Sequence, residues 1–130
     1  MSLDVTFRWR TEPAIVGVTF ESSTLTRVHV PAVVAPLFVT ALIDARLVED
    51  LRTLGCELRE AGPRRVEARL IVGGYTLPAL PVLVRAGPMP IRLEPGGPRP
   101  LMVLGLEFLS RFQECALRFS GELATFSLGN

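Results

Sequence analysis

Glycine and proline set the scale of what this chain can build. Eleven of each punctuate 130 residues, and between them the apolar side chains fall in short runs. Runs broken this often favour short strands joined by defined turns over a bundle of helices. The first third reads that way: Val5-Phe7-Trp9, Ile15 to Phe20 and Leu25 to Val34 alternate or are continuously apolar, with Glu21-Ser22-Ser23 as a turn. A chain of this length is expected to fold as one domain spanning 1–130, burying about two thirds of the surface it would expose unfolded.

The chemistry on offer is narrow. All fourteen basic residues are arginine, so lysine Schiff bases and a phosphate-cradling lysine are excluded. Fourteen arginines against thirteen acids leave a net charge of +1, which gives no footprint for nucleic acid. His29, Cys56 and Cys115 cannot by themselves assemble a structural zinc site, and the acids are scattered, so neither a metal nor another cofactor is expected. Carboxylates are the agents left to an enzyme of this composition.

The first ten residues carry Asp4, Arg8 and Arg10 without an apolar core between them, and a cytoplasmic location is the expectation. Residues 28–43 are uncharged but contain Pro31 and Pro36 and fall short of the roughly 20 apolar residues that a spanning helix needs, so no membrane is expected. Without a secretory signal, the two cysteines read as free thiols rather than a disulfide.

Further along, Asp44 to Gly55 places Leu47, Val48, Leu51 and Leu54 at helical spacing, with Asp44 as N-cap and Gly55 as the stop. Strand character returns at Cys56, first as a hairpin tipped by Ala61-Gly62-Pro63. Then come Val66 to Val72 and Tyr75 to Val84, joined by Gly73-Gly74. Pro78 and Pro81 are expected to confine the second of these strands to an edge or to split it. Residues 86–100 hold five prolines and three glycines and read as a surface loop; a domain boundary there would leave too few residues beyond it. Leu101 to Gly105 reads as a buried strand and Leu106 to Phe112 as a short helix. A closing hairpin pairs Ala116–Phe119 with Leu123–Leu128 across Ser120-Gly121.

Two stretches carry a resemblance. One is Met102-Val-Leu-Gly-Leu-Glu-Phe-Leu-Ser-Arg-Phe112, followed by Ala-Leu-Arg-Phe-Ser-Gly-Glu-Leu. The other is Val28 to Leu37, followed by Ala41-Leu-Ile-Asp and the helix ending in Leu54-Gly55. In this order and at these distances they resemble the retropepsin-like aspartic proteases in their single-domain bacterial form, over roughly Ile15 to Leu128. The resemblance implies an all-β fold, mostly strand with two short helices, closed as an acid-protease barrel. It also implies a homodimer in which each chain supplies one aspartate and terminal strands interleave, a role open here to the apolar alternation of Ala124 to Leu128. The hairpin tip Ala61-Gly62-Pro63 is flap-like in this comparison.

Where the family's loop reads Asp-Thr-Gly or Asp-Ser-Gly, one register places Ala35-Pro36-Leu37. The family's two aspartates share a proton, so that one activates water while the other polarises the carbonyl. Ala35 has no carboxylate, Pro36 has neither hydroxyl nor N–H, and Leu37 adds bulk where glycine admits the backbone. A second register aligns Ala41-Leu-Ile-Asp44 with the strand entering the catalytic aspartate. It restores the acid, but leaves Ala45-Arg46 for Thr-Gly and takes Asp44 from its place as helix cap.

Other candidates have ordinary readings beside their functional ones. Glu107 complements the dipole of a short helix, Arg64-Arg65 make a solvated face, His29 is an edge histidine, and Trp9 is a packing anchor. Cys56 follows a helix C-terminus, where a thiolate is disfavoured. Three functions follow. The first is a non-catalytic homodimer of structural or peptide-binding role; the second is an aspartic endopeptidase working through Asp44. The third is a small β-barrel module that captures an extended segment of a partner protein under the hairpin of residues 61–63.

Overall fold

The structure is a computed structural model that describes residues 2–24, 26–91 and 99–129. The chain opens with β1 (Ser2–Arg8), β2 (Ala14–Glu21) and β3 (Arg27–Val34). Alternation in β2 sends Ala14, Val16, Val18 and Phe20 into the core and leaves Ile15, Gly17 and Glu21 outside. β3 pairs with β2 along its whole length, Gly17 opposite Pro31. Pro31 is tolerated because the other neighbour of β3 reaches only Val33 and Val34, so no second ladder needs its missing N–H.

Next come β4 (Ala41–Asp44), buried throughout, and α1 (Ala45–Thr53). Asp44 caps the helix as its position predicts, accepting from the Arg46 N–H at 2.8 Å. The stop is a Schellman turn: Cys56 N–H donates to the Leu51 carbonyl and Gly55 N–H to the Arg52 carbonyl, with Gly55 at φ 89°. Leu47, Val48 and Leu51 are buried, a contribution of about 1.5–3 kcal/mol each. Leu54, expected on the same face, is instead half exposed, because the helix ends at Thr53 and the turn carries it outward.

The middle of the chain is more divided than its sequence suggests. It forms β5 (Arg59–Glu60), β6 (Arg65–Ala68), β7 (Ile71–Val72), β8 (Tyr75–Thr76) and β9 (Leu80–Arg85). Only β7 and β8 pair across Gly73-Gly74; β6 leaves that hairpin and pairs with β9. Pro78 lies in the break between β8 and β9. β9, however, is an interior strand between β6 and β4. Pro81 fits there because the parallel ladder to β4 begins one residue later, at Val82.

β10 (Met102–Leu104), α2 (Leu106–Leu109), β11 (Glu114–Ser120) and β12 (Leu123–Gly129) complete the chain. Part of the loop expected over 86–100, residues 92–98, lies outside the described residues, as does Leu25; residues 86–91 and 99–100 hold neither helix nor strand. Nine strands join in the order β5-β6-β9-β4-β10-β3-β2-β7-β8, and three more as β1-β12-β11. The fold is thus mostly β with two helices, as expected. Among the described residues, the large sheet ends at β5 and β8 and no ladder joins those two ends into a ring.

One large core lies between the sheets and under α1, gathering among others Val18, Leu51, Leu80, Leu104, Phe108 and Leu128. A smaller one sits on the other face. The register aligns Ile15, Val33, Val103, Leu42 and Leu83 in a row across β2, β3, β10, β4 and β9. Met89 is buried on this face with Leu42 and Val103, and Ala35, Phe38 and Ile91 pack against them.

Candidate functional site

β3 and β10 run side by side in the same direction and end together, so the residues that follow them meet at one end of the sheet. After β3 comes a turn closed by Phe38 N–H on the Ala35 carbonyl at 3.1 Å, with Pro36 and Leu37 at its corner. Ala35 N–H still donates to the Leu104 carbonyl at 2.9 Å, extending the ladder by one step. After β10 comes Gly105, and a Cβ there would stand 2.3 Å from the Phe38 carbonyl oxygen. Only glycine admits the loop this closely.

The contact is used. The Phe38 carbonyl accepts from Leu106 N–H at 2.8 Å and the Val39 carbonyl from Glu107 N–H at 2.9 Å, so the loop caps the first turn of α2 with backbone oxygens. Phe38 and Ala35 lean on the small core, whereas Leu37 is 96% exposed and Val39 61% exposed. With Leu106, also exposed, they give the loop an apolar outer surface. Residues 35–40 contain no acid; Glu107, whose N–H meets the Val39 carbonyl, leads α2 as the sequence implies.

Asp44 lies at the other end. β4 runs antiparallel to β10, so its first residue, Ala41, follows the loop, and Asp44 is three residues beyond, about 10 Å along the strand. There its N–H donates to the Leu101 carbonyl at 2.9 Å, at the start of β10 rather than its end. Its buried carboxylate also accepts Arg46 Nε and Nη2, each at 3.3 Å. The hydrogen bonds from the Arg46 side chain hold the carboxyl below its ordinary value, against the opposing pull of burial. A carboxylate so committed to its charged form is suited to capping, and poorly suited to sharing a proton with a second acid.

The hairpin tip Ala61-Gly62-Pro63 forms as predicted: Ala61 N–H donates to the Arg65 carbonyl and Arg65 N–H to the Gly62 carbonyl. Gly62 at φ 122° and Arg64 at φ 56° supply the left-handed backbone that the turn needs. Its arm β5 is only two residues long, and the tip faces α1 across an open cleft of about 420 Å³ that Ala45, Val48 and Arg52 also line. It therefore shares the Asp44 end of the sheet, while Ala35, Pro36 and Leu37 hold the other.

The remaining candidates take local partners. His29 Nδ1 and Thr19 Oγ1 share a hydrogen bond of 2.9 Å, and Trp9 Nε1 donates to the Gly121 carbonyl at 2.9 Å while its ring meets Phe119 edge-on. Desolvation raises the thiols of Cys56 and Cys115, which are free, so neither is an activated nucleophile. Among the described residues, no three His, Cys, Asp or Glu side chains gather as a metal site, and no helix is long and apolar enough to cross a membrane. The carbonyls of Phe38 and Val39 carry no sequence signature as caps of α2. Their only trace is that Gly105 opens a helix with no Ser, Thr, Asp or Asn before it.

No family model matches the sequence, and none of the curated proteins does. Among solved structures, the chain is similar to a retropepsin-like aspartic protease from Rickettsia conorii. The sequence identity is 13%, the TM-score 0.56, and the match covers 98% of this chain and 91% of that one. What the two share is the fold: this chain has the architecture of a retropepsin-like aspartic protease.

Proposed function

We propose that the chain is a non-catalytic retropepsin-like protein, a homodimer with a structural or peptide-binding role. One observation carries this reading: the turn that follows β3 and leans on Gly105, where the resemblance places the family's catalytic loop, reads Ala35-Pro36-Leu37 and contains no carboxylate. The Asp44 carboxylate, the substitute offered by the second register, stands at the opposite end of β10 and is engaged by Arg46. The apolar exposed surface of the loop suits a packed contact between copies better than it suits activated water. The closed form of the barrel belongs to this same reading.

The test is an endopeptidase assay on a peptide library from pH 3 to 7. No cleavage is expected at any pH, whereas cleavage blocked by pepstatin and abolished by Asp44→Asn would overturn the proposal in favour of an active enzyme. The combined variant Ala35→Asp, Pro36→Thr, Leu37→Gly is the complementary arm, and recovered cleavage would support the placement of the loop.

A further inference from the structure

β4 and β9 run parallel and stop at the same level, with Asp44 opposite Arg85, and the antiparallel β10 starts beside them. The chain leaves the sheet here twice, into α1 after Asp44 and into residues 86–91 after Arg85, and re-enters it through residues 99–101. Between these segments lies an open cleft of about 590 Å³, lined among others by Asp44, Arg46, Pro88, Arg99 and Leu101. A cleft of that size is in the range of small-molecule sites. It stands at the end of β10 away from the turn of residues 35–38, so it has no part in the site described above.

Three arginines are tethered at this end, each from a different segment. Arg85 Nε donates to the Pro88 carbonyl at 2.7 Å, and Arg99 Nη1 donates to the Met89 carbonyl. Arg46 donates from Nε and Nη2 to the Asp44 carboxylate, while its side chain stays 84% exposed. A guanidinium carries five N–H donors and no acceptor, so each of the three keeps donors in hand. No other described side chain or carbonyl takes them. The tethers restrict the rotamers before any ligand arrives, and so reduce the entropy that binding costs.

Charge and shape select the ligand. Among the described residues Asp44 is the only acid lining the cleft, so the three guanidiniums leave a surplus of two positive charges there. A carboxylate brings one charge and fits a single guanidinium fork. A phosphate monoester brings about two charges and three terminal oxygens, and can accept from forks on more than one side. The cleft is also larger than the bare ion needs. Pro88 and Leu101, the latter 42% exposed, supply an apolar wall for the organic part of such a ligand.

We propose that this cleft binds a small phosphate monoester, its phosphate held by Arg46, Arg85 and Arg99. The test is calorimetric titration of the full chain with phenyl phosphate, against chloride at matched ionic strength. Arg85→Ala and Arg99→Ala should each weaken binding about tenfold or more with unchanged circular dichroism. Asp44→Asn keeps an oxygen for the helix cap, removes the negative charge and releases Arg46, so it should tighten binding severalfold, a change of sign that loss of structure would not produce. Arg118→Ala, on the small sheet, should change nothing. Phenyl phosphate that binds no better than chloride, or that binds alike to wild type and to the cleft variants, overturns the proposal. Inorganic phosphate that binds as tightly as phenyl phosphate overturns the monoester in favour of an ion site. A phosphoserine peptide is the other source of the same group, and tighter binding of that peptide than of phenyl phosphate overturns the small ligand.

Discussion

The two ends of β10 differ in kind. At its end, Gly105 receives the Phe38 carbonyl, and the neighbouring loop has an apolar outer surface and is held by backbone hydrogen bonds and by the packing of Ala35 and Phe38 on the small core. At its start, Asp44 is buried, charged and bound by the side chain and N–H of Arg46. The Asp44 carboxylate is therefore held for the helix it caps, and the turn at the other end of β10 is left to Ala35, Pro36 and Leu37. An acid's location in a fold, more than its presence in a sequence, decides what it can do.

The sharpest way to break that contrast is at Gly105. Gly105→Ala puts a methyl group into the Phe38 carbonyl, which backbone must move to accommodate, and should cost about 3 kcal/mol in urea unfolding. A loss under 1 kcal/mol would mean that the loop is not held there. At the other end, Asp44→Ala should cost about 1 kcal/mol at pH 7 through the lost cap, and Asp44→Asn less, since an amide oxygen also caps.

The cap has a pH signature. Because folding lowers the Asp44 carboxyl below its ordinary 3.8, its contribution is complete above that value and is lost as pH falls through the lower folded one. The stability gap between wild type and Asp44→Ala should therefore narrow only below about pH 4. A gap that closes between pH 5 and 7 would place a different group in control. Smallest of all, Leu37→Ser should leave monomer stability within about 0.5 kcal/mol, since the side chain is almost wholly in solvent. A larger loss would mean that Leu37 is packed in the folded unit.

Much of this was readable in the chain. The inward positions of β2, the Asp44 cap, the Gly55 stop and the hairpin at Gly121 all depend on neighbours within a few residues, and each appears where its pattern puts it. The middle was not. Val66 to Val72 looks continuous, but β6 turns from its sequence neighbour to pair with β9, and Pro81 enters an interior strand because the adjoining ladder starts one residue late.

What the sequence determined by itself is the local grammar and the missing chemistry. It shows short strands, one well-capped helix, no lysine, and no acid between Val34 and Thr40. Those follow from backbone preferences and from which functional groups exist, and no partner is needed to decide them. The tertiary structure alone decided which ends of strands coincide. It set Asp44 and the loop at opposite ends of β10, fitted Gly105 under a carbonyl, and left six of the seven residues of β11 exposed. Lateral register joins residues far apart in the chain, and burial depends on everything stacked above a face; neither quantity is local, so neither is written in any short run of residues.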